Sequence, residues 1–228
     1  RLILKRHTDG AQSDGEIIGK IQFMSNENNV DSGNHQPRVE IHGVTVSTSG
    51  AAKMDFYTVP NSTTTPLKRM TINQLGYVST PYQPSFMANF GVNNNTSHNN
   101  GDFLKANNTD HNTGNCYNTS NYRFTAPVAG NYLFYGRANM SGVTTNDYSR
   151  SYQVRLYKNG SSEQYHMART TLTGYSGSYP DSSTMVCSIN LTVNDYVQLK
   201  VNWETDGTLS STENLHHHGS MFGGYLIG

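Results

Sequence analysis

Short alternating runs of apolar and polar residues dominate this chain, and none of useful length repeats at the helical period. The pattern predicts strands at Ile17–Phe23, Arg38–Ile41, Lys53–Tyr57 and Arg69–Ile72, separated by long polar linkers. From Tyr122 the strands become regular: Tyr122–Thr125, Asn131–Asn139, Tyr152–Lys158, Gln164–Thr171, Thr184–Leu191, Tyr196–Trp203 and Ser220–Ile227. Val197, Leu199, Val201 and Trp203 share one face at period two, which puts Trp203 in a core. Short strands at this spacing, broken by Gly, Asn, Pro and Ser, make the expected fold class all-β, a sandwich or a barrel.

The two halves differ in density. The first carries too few apolar residues for a good solitary core, and small cores are usually completed by staples or by oligomerisation. Residues 1–80 are therefore expected to be a β-rich segment intertwined with other copies of the chain, and residues 81–228 a separate head. Thr80-Pro81-Tyr82-Gln83-Pro84 marks the boundary. The Asn-rich stretch Asn93–Asn121 reads as a long loop, with short strands inside it as the alternative. Arg1 begins within a strand-like pattern, so the chain is expected to be part of something longer.

Composition sharpens this. Hydrophobic residues make up 34% of the 228 and charged residues 14%, yet the net charge is +0 and there are 15 Tyr and 8 Phe. Disorder needs high charge and few aromatics, so an ordered, neutral, polar β protein is expected. Neutrality argues against a nucleic-acid partner, which would require clustered Lys and Arg. No apolar run reaches the roughly 18 residues of a membrane-spanning helix, so no membrane insertion is expected. Cys116 and Cys187 fit no metal or redox spacing. They read as one buried thiol and one loop thiol, or as a disulfide.

Five segments together resemble the C1q domain family. Pro84-Ser-Phe-Met-Ala88 resembles its opening strand. Phe124-Thr-Ala-Pro-Val-Ala-Gly-Asn-Tyr-Leu-Phe134 resembles its central signature, and Val154-Arg-Leu-Tyr-Lys-Asn-Gly160 the strand and turn that follow. Leu191-Thr-Val-Asn-Asp-Tyr-Val197 resembles a turn usually written Leu-x-x-Gly-Asp-x-Val, and Phe222-Gly-Gly-Tyr-Leu-Ile227 the closing strand. The resemblance implies a C1q/TNF-like jelly roll of ten strands that forms a tight homotrimer about a threefold axis.

The first segment resembles a bacteriophage tail-fibre pattern. The residues are Asp14-Gly-Glu-Ile-Ile-Gly-Lys-Ile-Gln-Phe23, Val39-Glu-Ile41, Met54-Asp-Phe-Tyr57 and Lys68-Arg-Met-Thr-Ile-Asn-Gln-Leu-Gly76. No Gly-X-Y collagen repeat is present. The pair of resemblances implies an extracellular virion protein: a trimeric fibre stem, attached to other tail proteins, that carries a receptor-binding tip. A secreted C1q-like lectin or complement-type protein, and a purely structural trimerisation cap, are the alternatives.

In an antiparallel jelly roll, successive connections fall at opposite ends. Pro127–Asn131, Lys158–Ser162 and Val193–Asp195 are short and fall at one end. Ser141–Ser151, Leu172–Ser183 and Glu204–Gly219 are long and fall at the other. The resemblance implies that both termini lie at the short-turn end, so the long loops are expected to form an exposed apex. Loops on a rigid scaffold commonly carry binding, and Tyr with Ser, Gly and Asn is the composition of adaptable recognition loops. Tyr148, Arg150, Tyr175, Tyr179, Asp181 and Glu213 are the expected contacts to a host cell-surface glycan. Tyrosine rings stack on sugar faces, and Arg150 suits an anionic one.

Leu215-His-His-His-Gly219 places His216 and His218 on one side if extended. Three copies near an axis would then offer six imidazoles to one transition metal ion, the only cofactor expected. A calcium site using Asp147, Asp181 or Asp206 has no diagnostic spacing. Catalysis is not expected. The 16 acidic residues are scattered without a recognisable pair, and no Gly-x-Ser-x-Gly elbow, HExxH or phosphate loop is present.

Overall fold

The computed structural model describes residues 13–24, 37–61, 63–91, 96–145, 149–160, 164–173, 177–205, 212–216 and 219–228. They are all-β: strands, turns and bends, with no helix among the described residues. The chain divides into two compact units, Arg1–Tyr82 and Gln83–Gly228.

The first unit is a meander of five antiparallel strands in sequence order: β1 (Ile17–Met24), β2 (Pro37–Thr45), β3 (Ala52–Thr58), β4 (Leu67–Ile72) and β5 (Val78–Ser79). The register sorts its side chains into two faces, because residues directly opposite each other share a side. Ile21, Ile41, Phe56 and Met70 form one cross-strand row, with Phe23 opposite Val39 and with Met54, Ile72 and Val78 in a further row. Gln22 opposite Glu40, and His42 opposite Asp55, fall on the other face. All four strands expected in this region are present and longer than expected: β1, β3 and β4 by one or two residues, and β2, expected over Arg38–Ile41, by more than twofold.

The second unit is a sandwich. Its strands are β6 (Ser85–Asn89), β7 (Thr96–Asn99), β8 (Asn108–Thr113), β9 (Tyr117–Asn118), β10 (Arg123–Thr125), β11 (Gly130–Thr145), β12 (Ser149–Lys158), β13 (Gln164–Thr173), β14 (Gly177–Leu191), β15 (Tyr196–Thr205), β16 (Thr212–Leu215) and β17 (Met221–Leu226). One sheet has the order β13-β12-β15-β10-β9. The other runs β7-β16-β11-β17-β6-β8, with β14 also pairing β11. This is the expected jelly roll, with short strands added at its margins.

Period two within the signature segments explains the core. Phe124 and Ala126, then Tyr132 and Phe134, are fully buried, and the turn between them sits at the end of the sandwich. Phe86 stacks on Tyr117 (ring centroids 4.8 Å apart) and meets Phe222 edge-on at 5.0 Å, while Phe124 meets Phe134 edge-on at 5.1 Å. Each such ring contributes about 1.5–3 kcal/mol by burial alone. Trp203 is in the core as expected, with Val197, Leu199 and Val201 beside it.

Two expectations fail here. The Asn-rich stretch is not one long loop, since it supplies β7, β8 and β9. Its asparagine amides stand in for ladder partners. Asn112 accepts from Tyr117 N–H at 3.0 Å and donates to the Tyr117 carbonyl at 2.8 Å, and Asn100 does the same for Trp203. Of its apolar residues, Leu104, Ala106, Cys116 and Tyr117 are buried and Phe103 is half-buried. The cysteines are the second correction. Both are free and both are buried, so the disulfide alternative fails; Cys187 lies on β14, and Cys116 lies buried in the connection between β8 and β9.

Candidate recognition surface

The two ends of the sandwich are built differently. At one end Asp195 ties three short turns together. Its carboxylate accepts from Lys158 Nζ at 2.8 Å, Asn159 Nδ2 at 2.7 Å and Thr192 N–H at 2.9 Å. These contacts, the Lys158 one foremost, hold the Asp195 carboxyl well below the usual carboxylate range. Asn159 Oδ1 in turn accepts from Tyr196 N–H at 2.8 Å, and Asn194 N–H donates to the Ala126 carbonyl at 2.9 Å. Asn194 has φ 69° and occupies the position where the resembled turn carries Gly. Asn is among the few residues that adopt this region readily. At the same end Asn131 N–H donates to the Gly228 carbonyl at 2.8 Å, and Leu226 N–H to the Pro84 carbonyl at 3.0 Å. The unit therefore begins and ends beside its short turns, as expected.

The opposite end corrects the expected loops. Ser141–Ser151 is mostly strand, because β11 runs to Thr145 and β12 begins at Ser149. Leu172–Ser183 is likewise the end of β13 and the start of β14. Val143 pairs with Tyr179 and Thr144 with Ser178, beyond an irregularity at Met140. Ser149 pairs with Thr173. The cause is local chemistry: Thr, Val and Tyr suit a pleated surface, and two long polar arms side by side satisfy each other's backbone groups. Within Glu204–Gly219 the described part holds the end of β15 and all of β16.

Four expected contacts have a described backbone. Arg150 lies on β12 opposite Leu172 and Thr205, Tyr179 and Asp181 lie on β14, and Glu213 lies on β16 opposite His98. Connections β11–β12 and β13–β14 both close at this end, so these positions gather at the end away from Pro84 and Gly228. Tyr148, Tyr175 and His218 lie outside the described residues, as do Asp147 and Asp206 of the calcium reading. His216 follows β16. It is half-buried, and its N–H donates to the Asn139 carbonyl at 2.6 Å. Among the described residues no group of three or more His, Cys, Asp or Glu is placed to hold a metal.

One polar feature lies on a strand face rather than in a loop. Ser151, Gln153, Arg155 and Tyr157 alternate along β12, opposite Glu204, Asn202, Lys200 and Gln198 of β15. Trp203, Val154 and Leu156 fill the reverse, core face. Lys200 Nζ sits 4.8 Å from the Tyr157 ring centre, and Arg155 donates to Gln153 Oε1. Arg169 reaches Glu204 at 3.3 Å. Among the described residues, Ser151 Oγ and Asn202 Oδ1 are buried and have no hydrogen-bond partner, a state that ordinarily costs about 1–3 kcal/mol. The row adjoins the Arg150 end, but Ser151, Gln153, Tyr157 and Gln198 are buried, so it is a packed polar face rather than an open ligand surface. Its signal in the sequence is the alternation Ser-x-Gln-x-Arg-x-Tyr from Ser151 to Tyr157.

Residues 85–227 match the family model described as the C1q domain. Comparison with curated proteins gives no match. Among solved structures, the chain is similar to the globular domain of the zebrafish complement 1qA protein, at 16% identity over 64% of this chain and 98% of that one, with a TM-score of 0.47. It is also similar to the Eiger TNF of S. frugiperda, at 10% identity over 64% and 93% with a TM-score of 0.46. Murine APRIL at pH 5.0 matches at 16% identity over 64% and 99%, with a TM-score of 0.43.

Proposed function

Since the chain belongs to the C1q domain family through residues 85–227, we propose that it is the homotrimeric, non-enzymatic tip of a virion tail fibre, and that it binds a host cell-surface glycan. C1q-type domains serve typically as extracellular binding modules, and their relatives form homotrimers. The observation that carries the recognition reading is the polarity of the sandwich. The chain enters and leaves at the end latched by Asp195. The backbones of Arg150, Tyr179, Asp181 and Glu213 gather at the other end, on paired strands that hold them in fixed register. A rigid scaffold lowers the entropy lost when a flexible sugar is bound. The tail-fibre setting rests on the resemblance of Asp14–Phe23 and Lys68–Gly76, segments that supply β1 and β4 of the first unit.

The test is adsorption of the purified chain to an array of bacterial surface polysaccharides, with soluble products analysed in parallel. Saturable binding to particular glycans supports the reading. Release of depolymerised sugar would overturn the non-enzymatic part, and absence of binding to every surface polysaccharide would overturn the glycan.

A further inference from the structure

The first unit turns the usual arrangement of a two-faced sheet around. Its polar face is the buried one: Glu40 and His42 are each 7% exposed and Asp55 is 2% exposed. Those groups are knitted to one another. Gln22 Nε2 donates to Glu40 Oε1 at 2.5 Å, His42 Nε2 lies 3.1 Å from Glu40 Oε2, and Thr71 donates to Asp55 at 2.5 Å. Lys53 and Lys68 approach Asp55 at 3.9 and 3.7 Å, and the His42 ring packs on Tyr57 with centroids 4.5 Å apart. The apolar face is the open one. Ile21 is 41% exposed, Phe23 56%, Val39 38%, Met54 44% and Val78 61%. A one-sided sheet in water normally does the reverse.

We infer that this apolar face is where copies of the chain meet one another, so that the first units associate through Ile21, Phe23, Val39, Met54 and their row partners. Two arguments select a second copy as occupant. Five strands about 4.8 Å apart, with three rows of outward side chains, give a footprint on the order of 300 Å². A contiguous apolar patch of about this size is often functional. It is nevertheless well short of the roughly 800 Å² per partner that holds freely diffusing proteins together. The occupant must therefore already be held close by. Another copy is: β5 ends at Ser79 and β6 begins at Ser85, and a link of this length reaches only about 20 Å. A trimeric second unit thus keeps three such faces at high local concentration.

This inference rests on the homotrimer proposed above, and one experiment separates their failures. The first unit contains no cysteine, and Cys116 and Cys187 are buried, so an introduced thiol reports alone. Met54→Cys and, as a control in an exposed turn, Leu75→Cys (Leu75 is 69% exposed) are labelled with a maleimide in the full chain, beside a mass measurement in solution. The expected result is a trimer in which Met54→Cys labels at least tenfold more slowly than Leu75→Cys, the difference vanishing in urea. Equal rates in a trimer would overturn the inference and leave the trimer standing, whereas a monomer would overturn both. Ile21→Cys gives the same readout should Met54→Cys fail to fold.

Discussion

Tyr135 packs its phenol end against Gly223, its cross-strand partner on β17: a Cβ built at Gly223 would clash with Tyr135 Cζ and Oη. Gly224 does the same for the opposite side of the sheet, where an added Cβ would come 2.5 Å from Phe134 Cδ1 and 2.8 Å from the Leu133 carbonyl oxygen. The Gly-Gly pair in the closing strand therefore lets two aromatic rings of β11 pack on both faces at one level.

Gly223→Ala is expected to destabilise the second unit by about 1–3 kcal/mol, the range for overpacking, and to lower the Tm by about 2–4 °C per kcal/mol. In the background of Tyr135→Ala the same substitution should cost much less, because the ring it strikes is gone. Thermal melts of the four proteins of the cycle check this, and additive losses would refute the packing account.

Asp195 predicts an acid-sensitive latch. Its folded-state carboxyl is held low, chiefly by Lys158 and then by Asn159 and Thr192 N–H. Its contribution is therefore complete above the unfolded value near 4 and is lost as pH falls below that toward the folded value. Asp195→Asn should melt lower than the parent at pH 7, and the gap should close as pH is taken from about 5 to about 2. A gap independent of pH would show that the charge is not what matters.

Asn194 predicts the opposite sign at the neighbouring position. Its φ of 69° suits Gly at least as well, so Asn194→Gly should leave the Tm within a few degrees of the parent. Asn194→Val should cost about 1–3 kcal/mol of backbone strain. Equal melts for the two variants would count against a left-handed residue at this turn.

The thiols should be inert in the folded protein. Burial pushes Cys116 up to about 11 and Cys187 up to about 12, which leaves almost no thiolate at neutral pH, the reactive form. Ellman's reagent at pH 8 is expected to titrate neither thiol until the chain is unfolded, and then both. Rapid reaction of the native protein would contradict the burial.

For the recognition end, Arg150→Ala and Asp181→Ala should each weaken glycan binding about tenfold, roughly 1.4 kcal/mol, with the Tm unchanged. Asp195→Asn should do the reverse, lowering the Tm while leaving the affinity intact. Array binding and melting curves on the same three variants distinguish a ligand contact from a structural latch.

Much of this protein is set by local pattern. The alternation in Val197–Trp203 fixes a strand with a buried face whatever packs on it, and Phe124–Phe134 specifies two strands and the turn that joins them. The order of short and long connections even gives the sandwich its direction. Period two and turn chemistry act between near neighbours, so they are legible in the sequence. Three features depend on partners far away in the chain. Asn100 looks like a loop residue until Trp203 arrives to be paired by its amide. Ser141–Ser151 looks like loop until Tyr179 and Ser178 lie beside Val143 and Thr144. Whether Glu40 and His42 or Ile21 and Phe23 face the solvent is likewise undecided by alternation, which defines two faces but not which one is covered. Burial is a property of what packs against a surface, and only the tertiary structure supplies that.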